Sequence, residues 1–82
     1  ERTRMFDALV AAGYPVPPSA ANFLWLPLGE RSPAFSEASA EAGVVIRHYG
    51  ADGARVTVGD VHENDAFLAF ATGPGRAVAG LE

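Results

Sequence analysis

Apolar positions recur at spacings of three and four over residues 2–12, where Met5, Phe6, Leu9 and Val10 fall on one helical face. Gly13 stands where a helix end favours a left-handed residue. Tyr14-Pro15-Val16-Pro17-Pro18 cannot continue that helix and is predicted to run extended. From Asn22 to Leu28 the period changes to two, with Phe23 and Trp25 on one face and Leu24 and Leu26 on the other. Apolar residues on both faces predict a strand covered on both sides. Pro27 limits pairing near its end. Ser32-Pro33 opens a second helix, with a capping hydroxyl and a proline in the first turn. Its thin apolar face is Phe35, Ala38 and Ala42, and Gly43 ends it.

Two β-branched runs follow, Val44–Tyr49 and Ala54–Gly59, joined by Gly50-Ala51-Asp52-Gly53. They predict a hairpin. Asp60 with Glu63 three residues on forms a capping box for the last helix. Val61, Asn64, Phe67, Leu68 and Ala71 mark the faces of that helix, and Gly73-Pro74-Gly75 stops it. Residues 76–82 have no period, and residues 73–82 are expected to form a flexible tail. The order is α-β-α-β-β-α. It predicts an α+β domain over residues 1–72, a mixed, mostly antiparallel three-stranded sheet with helices packed on it.

Eighty-two residues allow one domain with a modest core. A hydrophobic fraction of 49% rules out a disordered acidic tail. The net charge of −4 argues against nucleic acid as a partner, which would call for a basic stripe. No apolar run approaches the ~20 residues of a membrane helix. No membrane partner and a cytoplasmic location are expected, since no signal peptide is visible and no cysteine is present. The chain opens on Glu1 within a helical pattern and closes on Leu81-Glu82, and we read it as a fragment of a longer protein.

The chemistry rests on arginine. All six basic residues are arginines, so the chain has no lysine. Arg47 and Arg55 each occupy a strand position where an apolar or neutral residue is usual. A guanidinium is an expensive choice in a half-buried strand unless an anion pairs with it. Arg55 shares a face with Thr57 and Gly59, opposite Val56 and Val58, and its fork suits a carboxylate. The alternative for Arg55 is a surface salt bridge. Arg47 has the same two readings, with Asp52 or Asp60 as partners. Asn22 is a turn residue or a polar group near a ligand. His48 and His62 lack metal-ligand spacing, so no metal is expected. No serine, histidine and acid can be assigned as a triad.

Four blocks carry a resemblance. They are Ser19-Ala20-Ala21-Asn22-Phe23-Leu24, Gly43-Val44-Val45-Ile46-Arg47, Arg55-Val56-Thr57-Val58-Gly59 and Glu63-Asn64-Asp65-Ala66-Phe67-Leu68. In this order and spacing the chain resembles the C-terminal small domain of histidinol-phosphate and aromatic (phenylalanine) aminotransferases. These are pyridoxal-phosphate enzymes of the aspartate aminotransferase fold. Asn22 through Gly29 resembles the aromatic enzymes of actinobacteria most. The resemblance covers about residues 1–71. It implies amino-group transfer between an aromatic amino acid, or histidinol phosphate, and a 2-oxo acid. It implies that Arg55 forks the substrate α-carboxylate, and that Arg47 matches a phosphate-holding arginine of the histidinol-phosphate enzymes. The short Arg47–Arg55 loop speaks against that phosphate role here. It further implies a large domain elsewhere in the protein that holds pyridoxal phosphate on a lysine, and a homodimer. The fragment itself, without lysine, is expected to bind no cofactor covalently and to be inactive. The competing class is a non-catalytic amino-acid-binding regulatory module.

Overall fold

A computed structural model describes residues 1–81. Helix α1 spans Arg2–Ala11 and buries Met5 and Leu9, one turn apart. Gly13 at φ +102° ends it, and the Tyr14 amide donates back to Leu9 O at 3.0 Å. Val10 is 47% exposed, so the expected four-residue apolar face narrows to Met5 and Leu9 with Phe6 beside them. The proline-rich segment runs extended and buries Tyr14 and Val16. Tyr14 Oη donates to Ala71 O at 2.7 Å, pinning this segment to the end of the last long helix.

Strand β1 is Phe23–Leu26, β2 is Arg47–Tyr49 and β3 is Gly53–Thr57. The sheet order is β1-β3-β2, and both pairings are antiparallel rather than mixed. Leu24, Leu26, Ala54 and Val56 face the helices and are buried. Phe23 and Trp25 point the other way, and Phe23 is 36% exposed. Among the described residues β1 is therefore covered on one face, not on both as expected.

A 3₁₀ turn, Gly29–Arg31, leads into α2, Ser32–Glu41. Ser32 does not cap. The 3₁₀ turn has already wound the chain, and Ser32 Oγ donates back to Gly29 O at 2.7 Å. The core side of α2 is Phe35 flanked by serines, whereas Ala42 is exposed. Ser39 Oγ donates to Val44 O at 2.7 Å, and Ser36 Oγ to Ile46 O at 3.1 Å. Those hydroxyls take the carbonyls of residues 44 and 46. The second strand consequently begins at Arg47, three residues later than the β-branched run predicts.

Helix α3, Val61–Ala71, has the predicted capping box: the Glu63 amide donates to Asp60 Oδ1 at 2.8 Å, and the Asp60 amide to Glu63 Oε1 at 3.0 Å. Asn64 is buried and exchanges two hydrogen bonds with the Gly59 backbone, locking the turn from β3 into α3. A fourth short helix, α4, covers Gly75–Val78. Arg76 Nε donates to Ala12 O at 3.1 Å, Ala79 is buried, and Leu81 packs against the core. The flexible tail expected at 73–82 thus contains a docked turn of helix; Glu82 lies outside the described residues. The fold is α+β in two layers, with the helices on one sheet face.

Burial pushes the Tyr14 phenol up to about 12, against its ordinary value of 10.0. A phenol whose folded value is raised stabilises the fold fully below pH ~10. That contribution should fall away as pH rises from about 10 through about 12. Urea midpoints across this range should decline more steeply for the parent than for Tyr14→Phe. Parallel declines would remove Tyr14 as the titrating group.

Candidate functional site

The register of the sheet assembles one face from three strands. Phe23 pairs with Thr57, Trp25 with Arg55, Arg47 with Arg55, and Tyr49 with Gly53. Paired residues share a face, so both arginines, both large aromatic residues of β1 and Tyr49 stand together on the side without helices. β3 is the central strand, and this puts half-buried Arg55 in the middle of the face. Its Cζ lies 5.4 Å from the Phe23 ring centroid and 5.8 Å from that of Tyr49. Trp25 and Tyr49 meet at 5.8 Å between centroids, tilted by 51°.

Among the described residues, neither Arg47 nor Arg55 has an ion pair, and neither guanidinium donates a hydrogen bond. The ion pairs present join Arg4 to Glu1 at 2.7 Å and to Asp65 at 2.8 Å, away from the sheet. The surface salt bridge considered for Arg47 with Asp52 or Asp60 is absent. Arg47, Arg55 and Thr57, with Val45, Ile46 and His48, line an open depression of about 470 Å³. Two cationic side chains directly opposite each other repel, and no acidic side chain among the described residues pairs with them. The arrangement can accept an anion, and the arginine edges can donate to it in pairs.

The repulsion is testable. Arg47→Gln should stabilise the chain at low salt by a few tenths of a kcal/mol up to about 1 kcal/mol. The gain should shrink at high salt as screening removes the repulsion. Denaturant midpoints at two ionic strengths measure it. A loss of stability at low salt would mean that the two guanidinium groups are not in conflict.

The other sequence candidates are not brought into this cluster. Asn22 precedes β1 and its carbonyl accepts from the Val58 amide at 3.1 Å. By alternation it shares the parity of Leu24, not that of Phe23 and Arg55. His62 and Glu63 lie instead on a second cavity of about 570 Å³, between α1, residues 43–46 and the start of α3, which holds neither arginine. Among the described residues no group of three or more His, Cys, Asp or Glu could hold a metal ion. No helix there is long and apolar enough to cross a membrane. Phe23, Trp25 and Gly53 were missed as neighbours of Arg55. Their signal was the alternation in Phe23-Leu24-Trp25-Leu26, which needed the register between β1 and β3 to be read.

No protein-family model matches the chain. A protein named aromatic amino acid aminotransferase from Rhodococcus erythropolis is 63% identical over 82 residues, covering 99% of this chain and 23% of the relative. One of the same name from Rhodococcus opacus is 69% identical over 72 residues, covering 88% and 20%. The chain is homologous to one segment of aromatic amino acid aminotransferases. A crystal structure from Burkholderia pseudomallei, described provisionally as an aminotransferase, superposes with a TM-score of 0.80 at 25% identity. It covers 90% of this chain and 24% of the solved one. The chain therefore spans only about a fifth to a quarter of the length of the aminotransferases that it matches.

Proposed function

We propose that the chain is the C-terminal small domain of a pyridoxal-phosphate-dependent aromatic amino acid aminotransferase. The whole enzyme moves an amino group between an aromatic amino acid and a 2-oxo acid, as a homodimer. In it Arg55 receives the substrate α-carboxylate. The observation that carries this reading is Arg55 itself. It is half-buried in the central strand, flanked by two rings, and has no acidic partner among the described residues. An arginine held in that way is suited to an external anion. The relatives' names support the aromatic substrate over histidinol phosphate. Arg47, opposite Arg55, is the residue that a phosphate-bearing substrate would engage.

The residues of this chain do not fit covalent attachment of the cofactor, because no lysine is present to form a Schiff base. The cofactor stabilises negative charge at the substrate Cα when bound, and its attachment falls to residues outside the chain. What this chain contributes is binding and orientation of the carboxylate end, and coverage of the site. The open face of β1 is the surface that a larger domain would cover.

The test is amino transfer by the full-length parent. It should transfer the amino group of phenylalanine to a 2-oxo acid, and the 82-residue chain alone should not. A full-length protein, purified with bound cofactor, that transfers from no aromatic amino acid would sink the reading.

A further inference from the structure

We propose that Tyr49 and Phe23 are positioning residues for Arg55, and that Trp25, lying across Gly53, braces Tyr49 in that role. The proposal rests on the reading of Arg55 as the carboxylate clamp. Phe23 and Tyr49 are the diagonal neighbours of Arg55 on the two flanking strands. Their ring centroids stand 5.4 and 5.8 Å from its Cζ, inside cation–π range. Rings approach a guanidinium without consuming an N–H donor. Among the described residues nothing else bonds to it, so its donors stay available for a planar ligand.

Tyr49 is itself weakly placed. It ends a three-residue edge strand at the hairpin and is 39% exposed. Its other neighbour is Trp25, at 5.8 Å between centroids. Gly53 makes that contact possible. It pairs with Tyr49 and lies under the indole. A Cβ there would sit 2.5 Å from Trp25 Cζ2 and 2.6 Å from Leu26 O. Any side chain at Gly53 would push the indole off the strand and leave Tyr49 unsupported. The contacts run from Gly53 to Trp25, Tyr49 and Arg55, with Phe23 on the other flank.

A merely structural stack would support the fold without distinguishing ligands by their carboxylate. In the full-length enzyme the readouts are kcat/KM for phenylalanine and inhibition constants for phenylpropionate and phenylpropanol, which differ in the carboxylate. Tyr49→Leu should lower kcat/KM and weaken phenylpropionate by roughly fivefold, with phenylpropanol unchanged. Tyr49→Phe keeps the ring and should restore the selectivity. Phe23→Leu should act in the same direction and serves where Tyr49→Leu does not fold. Equal loss on both inhibitors, or no loss with either variant, overturns the positioning role. Arg55→Lys measured alongside separates the two ideas. If it loses phenylpropionate selectively while Tyr49→Leu and Phe23→Leu do not, the clamp stands and the positioning role is wrong. If Arg55→Lys shows no selective loss, both fall.

Discussion

Arg55→Lys and Arg55→Ala, made in the full-length parent, should each lower kcat/KM for phenylalanine by roughly 30-fold or more. The magnitude follows from what each variant removes. A bidentate guanidinium–carboxylate pair in a closed site is worth about 2–4 kcal/mol when one partner is lost, and ~1.4 kcal/mol is tenfold in rate. Lysine keeps the charge but has neither the fork nor the planar face that Phe23 and Tyr49 flank. The two variants should therefore resemble each other more than lysine resembles arginine. An amine substrate without a carboxylate should be affected far less. Arg47→Ala should cost less than either on phenylalanine, because Arg47 sits exposed on the edge strand rather than half-buried in the centre of the face. With histidinol phosphate its cost should rise. Steady-state kinetics of the three variants on these substrates decides the matter. If Arg55→Ala turns over phenylalanine like the parent, the clamp is wrong and the arginine serves the fold.

Local signals were legible and non-local ones were not. Asp60 and Glu63 lie three residues apart, and the cap they predict is formed. Gly13 and the proline run ended α1 where expected, because backbone restrictions act within a few residues. The hairpin between Arg47 and Arg55 was also local, and with it the meeting of the two arginines. What failed depended on distant partners. Val44–Ile46 has strand-forming residues, yet serines of α2 hold two of its three carbonyls, and no periodicity encodes that. The short helix at 75–78 is held through Ala12 and the core rather than by its own pattern. The face of Arg55 was half legible. Alternation separated Phe23 and Trp25 from Leu24 and Leu26, but only the register of β1 on β3 brings Phe23 and Trp25 to the arginine. Large aromatic residues on a strand usually belong to a buried face. Here they instead form an exposed surface around a cation.

Phe35→Ala should be the most damaging single change to the stability of this chain. Phe35 is fully buried and its ring meets three others. Tyr14 lies 5.9 Å away at 69°, Phe67 6.4 Å away at 74°, and Phe70 5.2 Å away at 57°. These rings come from the extended segment, α2 and the C-terminal half of α3, so one side chain joins three parts of the chain. Truncating a buried phenylalanine to alanine typically costs about 3–5 kcal/mol, and ring-to-ring geometry adds to simple area. A chain of this size has a total stability of roughly 4–12 kcal/mol. The loss is thus about a quarter of the total or more, and Tm should fall by about 12 °C at least, at ~4–8 °C per kcal/mol. Phe35→Leu retains most of the volume and should lie between parent and alanine variant. The radius of gyration of 11.1 Å is close to the ~12 Å expected for a folded domain of this length, which makes the isolated chain a fair subject for denaturation. Thermal and urea melts of the three proteins provide the comparison. A loss below about 1 kcal/mol for Phe35→Ala, the range of surface substitutions, would mean that the aromatic cluster does not organise this core.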